Sequence, residues 1–167
     1  PTASTARFGV EQVLGGEIRE NGHGRFFFRQ QKLPLCLRHG PRKLGEAAEI
    51  TSQEVCSIDP RLQGFDFKTA LYLDTETTGL AGGTGTYAFL VGLAYCDMAE
   101  QVLVVEQIMM REHCEEKALL TYLQERVEQA CGLVTFNGKT FDAQLLDTRF
   151  CLNRLSTRLE DEPHLDL

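Results

Sequence analysis

The chain has 167 residues, of which 43% are hydrophobic and 25% charged; this is ordinary usage for a globular protein and argues against disorder. No apolar run approaches the roughly 20 residues that a membrane-spanning helix needs, so we expect no membrane partner. The net charge of −7 argues against a broadly basic nucleic-acid-binding surface, although bound cations can reverse the sign around an acidic site. The six scattered cysteines form no C-x-x-C pair, which disfavours a zinc site and is typical of free thiols in a reducing cytoplasm.

Residues 1–66 differ in pattern from the rest of the chain, and we interpret them as an N-terminal extension made of strand and loop. The run Phe26–Phe28, followed by polar residues, predicts a strand or one arm of a hairpin. Proline and glycine residues within 34–41 then interrupt regular structure. We therefore expect residues 1–66 to pack on a main domain that covers residues 67–167.

The segment from residue 70 to residue 110 predicts three consecutive strands. Apolar runs at 70–73, 87–95 and 101–110 have the length and composition that are typical of strands. Their connections are too short for a parallel crossover, so we expect neighbouring strands to be antiparallel.

Two helices alternate with two short strands in the remainder of the chain. A helix is predicted over 114–130, because apolar residues recur at steps of three and four and Gly132 follows the last of them. Residues 133–136 predict a strand, and the last strand begins at His164. Asn137-Gly138 turns the chain into a second helix, whose buried side we assign to five residues: Phe141, Leu145, Thr148, Leu152 and Leu155. The fold class is therefore α/β, with a mixed five-stranded sheet, flanking helices and an N-terminal extension.

Three carboxylates lie where this fold would bring them together. Asp74 and Glu76 end the first strand, and side chains two residues apart on a strand share a face. Asp142 lies near the start of the second helix, after a strand that should run parallel to the first. Taken alone, Asp142 is better interpreted as a helix cap, and an Asp-x-Glu sequence after a strand is a weak signal; the combination of the two segments favours a shared site.

Converging acids of this kind are typical of sites for hard divalent cations, which prefer oxygen ligands. Two such ions about 4 Å apart can bind both the attacking and the leaving oxygen in phosphoryl displacement. The sequence therefore predicts two divalent cations, Mg²⁺ or Mn²⁺, bound by Asp74, Glu76 and Asp142.

Two segments carry a family resemblance. Asp-Thr-Glu-Thr-Thr-Gly-Leu at 74–80 and Phe-Asn-Gly-Lys-Thr-Phe-Asp at 136–142 resemble the first two motifs of the DEDD (DnaQ-like) 3′–5′ exonuclease superfamily. Ala-Gly-Gly-Thr-Gly-Thr at 81–86 and Pro-His-Leu-Asp-Leu at 163–167 resemble its YprB-type ribonuclease-H-like group.

The resemblance implies a ribonuclease-H-like fold and a metal-dependent nuclease that acts on a single-stranded 3′ end of nucleic acid. It also implies that five residues line the site for the terminal nucleotide: Thr77, Thr78, Leu80, Asn137 and Phe141. Core packing is an equally good interpretation of Leu80 and Phe141.

One feature departs from the superfamily. Its fourth acid lies in a His-x-x-x-Asp or Tyr-x-x-x-Asp segment on a later helix, and no such segment follows Asp142. Asp166 has a different spacing and lies on a predicted strand, so it is only a secondary candidate for a metal ligand. We expect that the chain is truncated at its C-terminus, before this helix and before the helical-repeat region that YprB-type proteins carry.

Of two alternative functions, the first is disfavoured by the sequence and the second remains open. Gly83-x-Gly85-x-x-Ala88 imitates a dinucleotide-binding motif, but that motif must begin a helix and here it leads into a strand. The other alternative is a catalytically impaired nuclease-fold scaffold or a nucleic-acid-binding module. The missing fourth acid and the acidic net charge favour it, whereas the three retained acids favour an enzyme.

Overall fold

The structure is a computed structural model that describes residues 9–79, 85–159 and 161–167. Its helices are α1 (Val10–Leu14), α2 (Ser52–Ile58), α3 (Glu116–Glu128) and α4 (Asp142–Leu152). Its strands are β1 (Glu17–Asn21), β2 (Gly24–Pro34), β3 (Arg38–His39), β4 (Arg42–Lys43), β5 (Leu71–Thr77), β6 (Ala88–Asp97), β7 (Val102–Met109), β8 (Leu133–Thr135) and β9 (His164–Asp166). Among these described residues, no helix is long and apolar enough to cross a membrane.

The main sheet of the described residues has the strand order β1-β2-β7-β6-β5-β8-β9. The pairs β5–β6 and β6–β7 are antiparallel, whereas β8 is parallel to both β5 and β9. The predicted order of three strands, helix, strand, helix and strand is therefore confirmed, and so is the parallel relation of the first and fourth of these strands. As a result, the C-terminal ends of β5, β8 and β9 lie at one edge of the sheet.

The sheet contains two strands more than the predicted five, because the N-terminal hairpin joins it. Residues Phe26–Phe28 belong to β2, which confirms the predicted hairpin arm. Strand β2 pairs antiparallel with β7 over eight residues, so the extension continues the sheet instead of only packing on it. This pairing satisfies the backbone groups that β7 would otherwise expose at an edge.

Two hydrophobic clusters lie on opposite faces of the sheet, as the alternation along β5 shows. Leu71 and Leu73 belong to the larger cluster, which is formed with α3 and α4. Tyr72 packs against the smaller cluster, which includes Val55 of α2 and Phe65. Residues before position 67 therefore supply part of the core beneath β5 and β8.

The buried side of α4 differs from the prediction. Phe141 and Leu152 are 63% and 51% exposed, and the buried residues of this helix are Ala143, Leu146, Arg149 and Phe150. The predicted stripe was therefore wrong at Phe141 and Leu152 and omitted Arg149, whereas Leu145 and Leu155 are partly buried against the larger cluster. Arg149 is buried because its guanidinium forms an ion pair with Glu116 of α3, and burial of a charge requires such a partner.

Candidate active site

Strand β5 carries two of the candidate ligands at its C-terminal end. Asp74 and Glu76 are exposed, and they alternate with Leu73 and Thr75, which are more buried. Both remain in register with β6, where they pair with Gly92 and Leu90, and the register shifts only after Glu76. The two carboxylates therefore project from regular strand backbone on the same face of the sheet.

The third candidate, Asp142, is the first residue of α4. Strand β8 and the connection 136–141, which we call the β8–α4 turn, lead into it. The carbonyl of Gly138 in this turn accepts hydrogen bonds from the N–H groups of Phe141 at 3.2 Å and Ala143 at 2.9 Å. The turn thus closes on the N-terminus of α4, and it places Asp142 at the sheet edge where β5 ends.

A direct hydrogen bond joins the two segments, because the Thr75 hydroxyl donates to Oδ1 of Asp142. Burial raises the pKa of the Asp142 carboxyl, the Thr75 hydrogen bond lowers it, and the negative charge of Asp74 raises it; the net direction is upward. The charges of Asp74 and Asp142 therefore interact, although the two residues lie on different elements.

The donor set fits a divalent cation in its chemistry. No lysine or arginine in the described parts of the chain forms an ion pair with Asp74, Glu76 or Asp142. A cation would offset the repulsion between the Asp74 and Asp142 carboxylates. However, within residues 9–79, 85–159 and 161–167, no group of three or more Asp, Glu, His or Cys side chains is placed to hold an ion. The acids at this edge are thus neighbours and not an assembled ligand cluster.

Asp166, the secondary metal candidate, lies on β9 and is engaged by the protein itself. Its Oδ1 accepts hydrogen bonds from the Thr135 hydroxyl at 2.6 Å and from the N–H of Gly138 at 2.8 Å. Burial raises the pKa of Asp166, but hydrogen bonds from Thr135, Gly138 and Lys139 outweigh it and hold the pKa below its usual value. The carboxylate is therefore already an acceptor for the β8–α4 turn.

Two of the predicted nucleotide-binding residues in the first motif, Thr77 and Thr78, form hydrogen bonds within the connection between β5 and β6. The Thr77 hydroxyl donates to the Gly79 carbonyl at 3.1 Å. Thr78 binds Tyr87 twice, through its backbone N–H at 3.0 Å and through its hydroxyl, which accepts from the Tyr87 N–H at 3.1 Å. Leu80 and Gly83 lie outside the described residues. These contacts fix the backbone where β5 ends and β6 begins.

The two predicted nucleotide-binding residues of the second motif face solvent. Asn137 is exposed and has a φ of 56°, a left-handed conformation that asparagine tolerates better than most residues. Phe141 precedes α4 and is 63% exposed, so the core-packing interpretation of this residue is wrong. Phe136 at the other end of the turn is 81% exposed. Exposed aromatic side chains therefore lie at both ends of the β8–α4 turn, and Phe141 directly precedes Asp142.

A family model of the RNase_H superfamily, RNase_H_2, matches residues 71–167, which is more than half of the chain. The chain belongs to the RNase_H superfamily. It is 33% identical, over 143 residues, to the uncharacterized protein YprB of Bacillus subtilis (strain 168); the match covers 83% of this chain and 34% of YprB. These findings confirm the predicted YprB-type ribonuclease-H-like domain, and this chain spans about a third of the length of that relative.

Some residues that shape the site of this RNase_H superfamily chain had no predicted role. Thr75 lies between the two acids of the first motif and Thr135 lies in the predicted strand at 133–136, and neither was assigned a function. Gly138 was assigned to a turn, and its backbone hydrogen bonds also link β9 to α4. The Asn-Gly sequence was the one available signal, because it predicts a left-handed turn; the hydrogen bonds of the threonines depend on distant parts of the chain.

Proposed function

We propose that this chain is the nuclease domain of an enzyme that hydrolyses phosphodiester bonds with divalent cations, as a 3′–5′ exonuclease acting on single-stranded ends. Membership in the RNase_H superfamily supports hydrolysis of nucleic acid. The observation that carries the proposal is the contact between the two motifs. Thr75 of β5 binds Asp142 of α4, and the charges of Asp74 and Asp142 interact.

Asp74, Glu76 and Asp142 would hold two divalent cations, Mg²⁺ or Mn²⁺. When bound, such ions lower the pKa of a water nucleophile and stabilise the charge on the leaving oxygen. The Thr75 hydroxyl would orient the Asp142 carboxylate, because it donates a hydrogen bond to Oδ1. The net charge of −7 is compatible with this role, because cations bound by the acids would locally reverse their sign for a phosphate backbone.

The substrate end would lie along the β8–α4 turn, beside Asp142. Exposed Phe141 offers a face on which a base can stack, a contact worth about 1–3 kcal/mol per base in single-strand binding proteins. Asn137, whose backbone N–H binds the Leu167 carbonyl at 2.9 Å, keeps its exposed side-chain amide for polar groups of the nucleotide. Thr77, Thr78 and Leu80 would complete the surface from the other motif.

A nuclease assay with matched variants tests the proposal. Asp142→Asn is compared with Asp147→Asn, the same change on the same helix one and a half turns away. We expect Asp142→Asn and Asp74→Asn to reduce Mn²⁺-dependent shortening of a 5′-labelled single strand at least about 100-fold, because metal ligation contributes several kcal/mol to the transition state. Asp147→Asn should retain activity.

The assay should use the longest natural form of the protein beside the 167-residue chain, since the family's fourth acid is not found in the latter. We expect this chain alone to bind Mn²⁺ weakly and to cleave slowly. Equal activity of the wild type and Asp74→Asn would contradict the enzymatic proposal. Retained binding of single strands without any cleavage, in the longest form, would instead support the scaffold or binding-module alternative.

A further inference from the structure

The C-terminal end of β9 is tied to the β8–α4 turn by backbone as well as by side chain. The N–H of Asn137 donates to the Leu167 carbonyl at 2.9 Å, and the N–H of Leu167 donates to the Thr135 carbonyl at 3.0 Å. Asp166 directly precedes Leu167, and its Oδ1 accepts from the Gly138 N–H at 2.8 Å. These hydrogen bonds therefore hold the first half of the β8–α4 turn against the end of β9.

Gly138 connects the end of β9 to the start of α4. Its N–H is bound by Asp166, and its carbonyl accepts from Ala143 in the first turn of the helix. A Cβ at this position would lie 2.7 Å from Cβ of Thr135 and 3.0 Å from Oδ2 of Asp142. The side of Gly138 on which a Cβ would lie therefore faces both Thr135 and the Asp142 carboxylate, with no space between them for a larger residue.

The Thr135 hydroxyl gives the Asp166 carboxylate a defined orientation. An ionised carboxylate can only accept, so the single hydroxyl proton of Thr135 points to Asp166. The same hydroxyl oxygen lies 2.7 Å from Nε2 of His164 and must accept a proton from that ring nitrogen. Donation therefore runs from His164 through Thr135 to Asp166, and the Gly138 N–H donates to the same carboxylate oxygen from the other side.

From these contacts we infer that Asp166 is a positioning residue: it holds Gly138, and through Gly138 the start of α4 and the Asp142 carboxylate, and it is not the fourth metal ligand. The inference rests on the proposed function, because the carboxylate that is positioned is a proposed ligand. Outer partners of this kind typically contribute 10–100-fold to metal affinity, and their role requires a hydrogen-bond acceptor and no charge.

The test compares Asp166→Asn with Asp166→Ala in the 167-residue chain. Asparagine at position 166 keeps an acceptor oxygen for Gly138 and Thr135. If Asp166 were instead a metal ligand, the same substitution would remove the negative charge that binds the ion. Mn²⁺ affinity and stoichiometry are measured by electron paramagnetic resonance, and hydrogen exchange of the Gly138 amide is followed by NMR without metal. We expect Asp166→Asn to retain near-wild-type Mn²⁺ affinity and Gly138 protection. Asp166→Ala should weaken Mn²⁺ binding about tenfold and accelerate exchange at Gly138.

Two further variants keep the outcomes distinct. Thr135→Val removes the hydroxyl at nearly constant volume and should resemble Asp166→Ala, while Thr135→Ser should resemble the wild type. Loss of Mn²⁺ binding in Asp166→Asn as complete as in Asp142→Asn would overturn the inference, and so would wild-type behaviour of Asp166→Ala. Wild-type Mn²⁺ binding by both Asp74→Asn and Asp142→Asn would contradict the proposed function itself, whereas the Gly138 exchange data would still report on Asp166.

Discussion

Glu106 in β7 and Glu76 in β5 are both strand glutamates, yet Glu106 is fully buried and Glu76 is exposed. The Glu106 carboxylate accepts hydrogen bonds from the Arg126 guanidinium at 2.7 Å and from the Tyr122 hydroxyl at 2.8 Å. It also accepts from the Tyr95 hydroxyl at 3.1 Å and from the Gln30 amide at 3.0 Å. Every requirement of a buried charge is met inside the protein.

The acids at the end of β5 and at the start of α4, which we call the acidic edge, have no arginine partner among the described residues. Asp74 and Glu76 form no ion pair among the residues that the structure describes, and Asp142 has a hydroxyl as its side-chain partner. Glu116, by contrast, binds Arg149 at 2.5 Å and Asn153 at 2.8 Å. Acids that connect β7, α3 and α4 are neutralised by arginine, whereas Asp74, Glu76 and Asp142 form no ion pair among the described residues. The difference separates carboxylates that maintain the fold from those that the proposed cation site would use.

The largest expected effect is the difference in stability between Glu106→Ala and Glu76→Ala. Glu106→Ala should lower the free energy of unfolding by about 3 kcal/mol, because it leaves the partly buried Arg126 without its carboxylate. Glu76→Ala should change it by less than about 0.5 kcal/mol, as is usual for exposed positions. Urea denaturation without metal measures both values. A loss for Glu76→Ala as large as that for Glu106→Ala would remove the distinction between the two regions.

A smaller effect is expected at the point where the acidic edge is held in place. Gly138→Ala adds a Cβ within 3.0 Å of Asp142 and Thr135 and should cost about 1–3 kcal/mol of stability. Because the methyl group displaces the Asp142 carboxylate, Mn²⁺ binding should weaken as well. Gly22→Ala is a suitable control, since an added Cβ there has no neighbour within 4 Å. Thermal melting measures the loss of stability, and calorimetric titration measures the Mn²⁺ affinity. Normal Mn²⁺ affinity in a folded Gly138→Ala variant would contradict this account.

The smallest effect concerns His164, at the start of the polar chain beside the site. Burial lowers its pKa from the usual 6.5, and the charge of Lys139 lowers it further, against an opposing effect of Asp166. The unfolded chain therefore binds this proton more readily, so the contribution of His164 to stability is present above pH 6.5 and decreases as the pH falls through this value. Melting temperatures between about pH 7.5 and about pH 5.5 measure it. His164→Gln keeps an N–H donor for Thr135 and should show a weaker pH dependence; an unchanged dependence would assign the effect to other groups.

Much of the fold could be predicted because it depends on local patterns. The apolar runs that became β5, β6 and β7 are continuous in sequence, and the short connections required antiparallel pairing. The pairing of β2 with β7 was not predictable, since it joins residues far apart in the chain through backbone groups that carry no sequence signal. The buried side of α4 failed for a related reason: Arg149 becomes a core residue only through Glu116, on another helix.

The candidate site, like the fold, could be predicted from the sequence only in part. Asp74, Glu76 and Asp142 were selected by residue type, by position at strand and helix ends and by family resemblance, and their role stays a prediction. What surrounds them is set by tertiary contacts, such as the Thr75 hydroxyl on Asp142 and the Gly138 N–H on Asp166. In sequence, Glu106 and Glu116 look no different from candidate ligands; only burial and an arginine partner distinguish them.

The hairpin that continues the sheet has a practical consequence for how this domain is delimited. Residues 71–167, which the family model matches, include every candidate ligand. A protein cut at residue 71 would nevertheless leave β7 with an unpaired row of amides and carbonyls. It would also uncover Val134, which rests on Val55, Leu62 and Phe65. Such an edge is a template for association with other strands, so the unit that folds is larger than the segment that the family model matches.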